Sequence, residues 1–197
     1  MDKPEFYTRN QIEKLGNTLI FLCQHLESPS KTHLLKLIFI IEEISIKKLG
    51  VPFFDLRFDV WKLGPVSRDL FVELSQELNL LSPYITKENK GESGIMRAKK
   101  EFSDDEFSDN EMKLLEDVVE RFKYCTANEL INLTHRKNTP WYNTAQKHGV
   151  LELLEAGKIN TTDIEIDLSE IIANEPDKLT LYKSHIEFLR QSKSLKS

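Results

Sequence analysis

Residues 34–41 read Leu34-Leu35-Lys36-Leu37-Ile38-Phe39-Ile40-Ile41, apolar around nearly the whole circumference of a helix. A helix that is hydrophobic on every side has to be covered on every side. The run is broken by Lys36 and is far too short to cross a bilayer. The chain must therefore wrap other elements around it, and a helix over about 30–49 is expected at the centre of a bundle. Gly50 supplies the stop and Pro52 prevents continuation. Lys36 either snorkels to the surface at a helix edge or pairs with a buried acid in the facing layer. Material for the wrapping is present: 40% of the 197 residues are hydrophobic, and a chain of this size buries about two-thirds of its unfolded surface. Only 7 Gly and 7 Pro punctuate it, which favours helices over a many-stranded sandwich.

The flanking segments carry helical stripes. Ile12, Leu15, Leu19, Leu22 and Leu26 recur at steps of three and four, behind a polar arm over residues 1–11. Ser28-Pro29 reads as an N-cap and first-turn proline for the central helix. From Phe53 the period changes to two: Phe58, Val60 and Lys62 alternate with Asp59, Trp61 and Leu63, a short strand. Gly64-Pro65 then opens a helix whose inner row is Val66, Leu70, Leu74 and Leu78, ended by Pro83. Residues 84–86 and 95–100, joined around Asn89-Lys90-Gly91, form a hairpin expected to pair with the 58–62 strand. An acidic stretch, 101–109, reads as a solvated loop. Ser108 with Glu111 and Thr126 with Glu129 are capping boxes, and Thr139-Pro140 is a cap followed by a first-turn proline. Two helical pieces remain, 167–172 and 176–191, ahead of a frayed tail. The expected fold is mainly α: a compact bundle of about seven or eight helices with a small two- or three-stranded antiparallel sheet. The expected organisation is an arm (1–11), one domain (12–150) and a helical extension (151–197) packed on it. The row Leu179, Tyr182, Ile186 and Leu189 packs on its own domain or on a second copy of the chain.

Composition removes several functions. Lys+Arg 27 against Asp+Glu 32 gives a net charge of −5, which argues against nucleic acid as the main partner. Two cysteines, Cys23 and Cys125, are too few for a disulfide framework or a four-cysteine zinc site. The N-terminus opens with charges rather than a leader-like apolar run, and the expected location is the cytoplasm. None of the five histidines, His25, His33, His135, His148 and His185, forms a ligand-spaced pair. No Gly-x-Ser-x-Gly elbow, phosphate loop or dinucleotide turn occurs. Glu42-Glu43 and Asp104-Asp105 are sequence neighbours, which on a helix diverge by about 100° and do not make an acid/base dyad. No enzymatic activity, cofactor or metal is expected.

Two strings stand out. Trp61-Lys62-Leu63-Gly64-Pro65-Val66 ends a strand in a bulky aromatic and turns on a Gly-Pro pair. It reads as strand-to-helix punctuation with Trp61 in the core; the functional alternative is a rigid corner presenting Lys62 to a partner. Leu133-Thr134-His135, followed after four residues by Pro140-Trp141, combines a histidine near a helix end with a tryptophan packing anchor.

Leu35-Lys36-Leu37, the Trp61-Lys62-x-Gly64-Pro65-Val66 corner, Ala127-x-Glu129-Leu130 and Leu133-Thr134-His135…Pro140-Trp141 together resemble the Panacea domain, an antitoxin-type domain of bacteria and phages. The likeness covers residues 12–150; Leu63 stands where members often carry His. It implies a mostly helical fold and a non-enzymatic role, binding and neutralising a protein toxin encoded by the adjacent gene. Some relatives instead resemble proteolytic adaptors that deliver a toxin to a protease. On this reading Lys36, Trp61, Lys62, Gly64, Pro65, Val66, His135, Pro140 and Trp141 mainly shape the fold. Lys62, Arg68, Lys87, Lys90 and Arg97 are the candidate partner contacts. A rival reading is a DNA-binding module using the cluster Lys87, Lys90, Arg97, Lys99 and Lys100, opposed by the acidic stretch beside it.

Overall fold

The computed structural model describes residues 8–88 and 94–194. The expected central helix is α2, Lys31–Leu49, with Leu34, Ile38, Phe39 and Ile41 completely covered. Gly50 ends it in the left-handed region at φ 77°. Its start differs from the sequence reading. Ser28 has φ 55°, and the Pro29 carbonyl accepts from the Met96 N–H at 2.9 Å, so the chain is still non-helical there. Ser30 is the cap, its hydroxyl accepting from the His33 N–H.

Around α2 stand α1 (Arg9–His25), α3 (Arg68–Ser75), α4 (Asp109–Phe122), α5 (Ala127–Thr134), α6 (Pro140–Lys147), α7 (Leu151–Glu155) and α8 (Pro176–Ser194), with a 3-10 turn at Leu168–Ile172. Among the described residues the architecture is mainly α, eight helices with two small antiparallel two-stranded sheets. The other three expected caps are formed: Ser108 and Thr126 in reciprocal boxes, and Thr139 ahead of Pro140. Residues 9–11 belong to the first turn of α1, while residues 1–7 and the last three residues of the tail lie outside the described residues.

The sheets are arranged differently from expectation. β1 (Asp59–Trp61) pairs with β2 (Gly64–Val66), so Gly64-Pro65 continues a hairpin instead of opening a helix. Proline is tolerated at a sheet edge as well as at a helix start. Here the Pro65 carbonyl is taken by a side chain of α2, and the helix waits until Arg68. β3 (Ile85–Glu88) and β4 (Ile95–Ala98) form the hairpin expected from the sequence, with its turn outside the described residues. This hairpin packs on α1 and does not join β1. The free edge of β1 is covered from the C-terminal side. Val60 N–H donates to Ile164 O (2.9 Å), Lys62 N–H to Asn160 O (2.8 Å) and Ile166 N–H to Phe58 O (2.8 Å).

Three further details depart from the local patterns. α3 stops at Ser75 because the Glu73 carboxylate draws the chain back, accepting from the N–H groups of Asn79 and Leu81 at 2.7 and 2.8 Å. The acidic loop is anchored by Phe102 and Phe107, whose rings meet those of Phe21 and Phe53 at 5.2 and 6.1 Å. Glu42, 1% exposed, accepts from the N–H groups of Phe53, Phe54 and Leu56, which ties the loop after α2 to its axis. Burial pushes this carboxyl up to about 7 against the pull of those donors.

Candidate functional site

The motif residues scattered over 36–141 converge on one corner. Lys36 does not reach water, and among the described residues it meets no acid. It is 1% exposed, and its ammonium donates to the Pro65 carbonyl at 2.8 Å. Burial alone drives its pKa down to about 7. A covered amine spent on a backbone carbonyl is a tie between helix and hairpin. Gly64 sits directly beside it at φ +94°. A Cβ there would lie 2.6 Å from Thr134 Oγ1, 3.2 Å from Lys36 Nζ and 3.3 Å from His135 Cε1. Only glycine permits both this backbone conformation and this approach.

The other side of the hairpin is held by the α5–α6 junction. The His135 ring has Nε2 at 2.9 Å from Lys62 O and Nδ1 at 2.6 Å from Ile131 O. Trp141 is 1% exposed, lies 3.9 Å from the His135 ring, and donates its Nε1–H to Trp61 O at 2.9 Å. Pro140 fixes the first turn of α6, which aims Trp141 inward. Trp61 in turn donates Nε1–H to Thr162 O at 3.2 Å and meets the Phe71 ring edge-on at 5.0 Å. Val66, the last residue of β2, is 4% exposed. Carbonyls of the hairpin are thus received by three separate elements, and its other edge by residues 160–166.

What this frame presents is the turn, Lys62-Leu63. Both residues are exposed, and Leu63 shows 55% of its surface. Beside the turn lies a cavity of about 350 Å³ lined by Thr32, Leu35, Lys36, Trp61, Val66, Phe71, Asn160 and Thr161 together with the turn itself. Leu63 drew attention in the sequence only as a departure from a family pattern; an apolar residue at the turn of a hairpin is the signal that marks it as exposed.

The remaining sequence candidates are placed differently. Arg68 is engaged within the chain, pairing with Asp59 at 3.2 Å and with Asp163, and so clamps the C-terminal segment onto β1. Arg97 pairs with Glu88 at 3.2 Å, Lys99 donates to Ser82 O, and Lys100 lies over the Tyr84 ring. Lys87 is exposed on β3, away from the Lys62 turn in a separate sheet. Lys90 lies outside the described residues. His33 Nε2 is 2.8 Å from Cys125 O, and both cysteines are free thiols. Burial raises the Cys23 thiol to about 12. Among the described residues, no three His, Cys, Asp or Glu side chains are grouped as metal ligands, and no helix is long and apolar enough to cross a membrane.

A family model described as antitoxin SocA-like, Panacea domain, matches residues 34–142, more than half of the chain and the stretch that contains every residue of the corner from Lys36 to Trp141. Searches of curated proteins and of solved structures return no match.

Proposed function

The chain belongs to the antitoxin SocA-like, Panacea domain family, and from that membership we propose that it neutralises a protein toxin by direct contact, without catalysing a reaction. The toxin is the product of an adjoining gene, and the two meet in the cytoplasm. The hairpin tip is the observation that most supports contact here. Leu63 and Lys62 are exposed on a turn whose flanking backbone is tied to α2, α5, α6 and residues 160–166. A preorganised tip loses little freedom on binding. The neighbouring cavity, with Trp61 and Phe71 in its wall, suits an apolar anchor inserted by the partner. A stable complex needs about 1,000 Å² or more of buried surface, so the interface extends past the tip onto the surrounding hairpin and helices.

Co-expression with the adjoining gene product tests the reading. Restored growth and a complex that survives gel filtration are expected. A toxic product that is neither rescued nor bound would refute it. Neutralisation that disappears when the host's ATP-dependent proteases are deleted, while the complex still forms, would instead identify a proteolytic adaptor.

A further inference from the structure

A second concave surface shares no residue with the corner cavity. It is a groove of about 990 Å³ between α2, α4, α5 and the start of α8. Its floor is apolar: Ile44 and Leu133 are partly exposed there, beside the buried Ile40, Val118 and Phe122. Its rim is charged, and part of that charge is already neutralised. Lys48 pairs with Asp117 at 2.9 Å, Lys178 with Glu175 at 2.6 Å, and Glu120 with Lys123 at 2.7 Å. Lys47, Arg121, Arg136 and Lys137 also line the groove, and among the described residues none of them makes an ion pair. Facing them is one half-buried carboxylate, Glu43, which burial makes harder to ionise and which the Lys47 charge partly steadies. A chain with net charge −5 thus gathers around one apolar trough several cations, Arg136 and Lys137 foremost, that make no ion pair among the described residues.

We propose that this groove docks an acidic, amphipathic segment of a partner protein, its apolar side on Ile44 and Leu133 and its carboxylates toward Lys47, Arg136 and Lys137. A phosphodiester backbone would meet the same cations but offers no apolar face to cover the floor. A peptide satisfies both the floor and the rim. The inference rests on the groove alone and does not depend on the role of the Leu63 tip.

The test uses the full chain and a fluorescein-labelled synthetic peptide of Glu and Leu patterned as an amphipathic helix. Its controls are the same peptide with Lys for Glu, and a single-stranded RNA oligonucleotide. Saturable anisotropy is expected with the acidic peptide only. It should weaken about tenfold or more in Lys47→Glu/Arg136→Glu/Lys137→Glu and fall with added salt. The three sites are exposed, so the triple variant should melt as the parent does; Lys47→Gln/Arg136→Gln/Lys137→Gln, with smaller loss, guards against a folding defect. Leu63→Asp should leave peptide binding unchanged. Absence of saturable binding, equal affinity in the triple variant, or preference for the Lys peptide or the RNA would each overturn the proposal.

Discussion

Gly64→Ala is the sharpest probe of the corner. The residue sits at φ +94°, where an L side chain is strained by roughly 1–2 kcal/mol. The added methyl would also come within 2.6 Å of Thr134 Oγ1, a buried hydroxyl held by Ile131 O at 2.8 Å. It would crowd Lys36 Nζ at 3.2 Å as well, and overpacking of this kind costs about 1–3 kcal/mol. The sum is about 2–5 kcal/mol. Gly149→Ala is the matched control: φ is +67°, but no described residue lies within 4 Å of an added Cβ, so only the backbone cost of about 1–2 kcal/mol remains. Urea unfolding at constant m-value reads the difference as a shift in midpoint. Adding Thr134→Ala to Gly64→Ala should recover part of the loss, because the clashing oxygen is gone and the two sites are coupled. If Gly64→Ala costs no more than Gly149→Ala, or if the two corner changes simply add, the close approach is not what glycine is there for.

Other perturbations report on separate parts of the account. Lys36 is depressed from 10.5 to about 7, so between those values the unfolded chain holds more protons and stability should rise with pH. Lys36→Met should remove that rise, measured by urea midpoints from neutral to alkaline pH. Glu42 has the opposite sign: raised from 4.5 to about 7, it makes stability fall as pH climbs through that window, and Glu42→Gln should flatten the fall. Trp141→Phe removes the donor to Trp61 O while keeping most of the ring, and should cost about 1–3 kcal/mol by chemical denaturation. Ser108→Ala breaks the box at the start of α4 and should cost about 1 kcal/mol in the same assay.

The sequence made the helices legible because their signals are local. The all-round apolar run could only be central, and Ser108, Thr126 and Thr139 carry their caps within three residues. The errors fall where a distant partner decides. Gly64-Pro65 suits a helix start or a strand edge equally, and Lys36, twenty-nine residues away, settles it through the Pro65 carbonyl. The covering of β1 by residues 160–166 carries no strand pattern, because Asn160, Thr162 and Asp163 act through carbonyls and single side chains. Lys36 itself was expected to find water or an acid, and a backbone carbonyl was the overlooked third choice. Charge counting singled out Arg68 and Arg97 without knowing that Asp59, Asp163 and Glu88 would occupy them.

The central claim is that the buried motif residues build a frame and the exposed turn makes the contact. Leu63→Asp tests it most directly, since the side chain is exposed and the frame does not use it. The variant should melt with the parent protein yet fail to rescue growth against the adjoining gene product and fail to co-purify with it. Full rescue and an intact complex with Leu63→Asp would contradict the account.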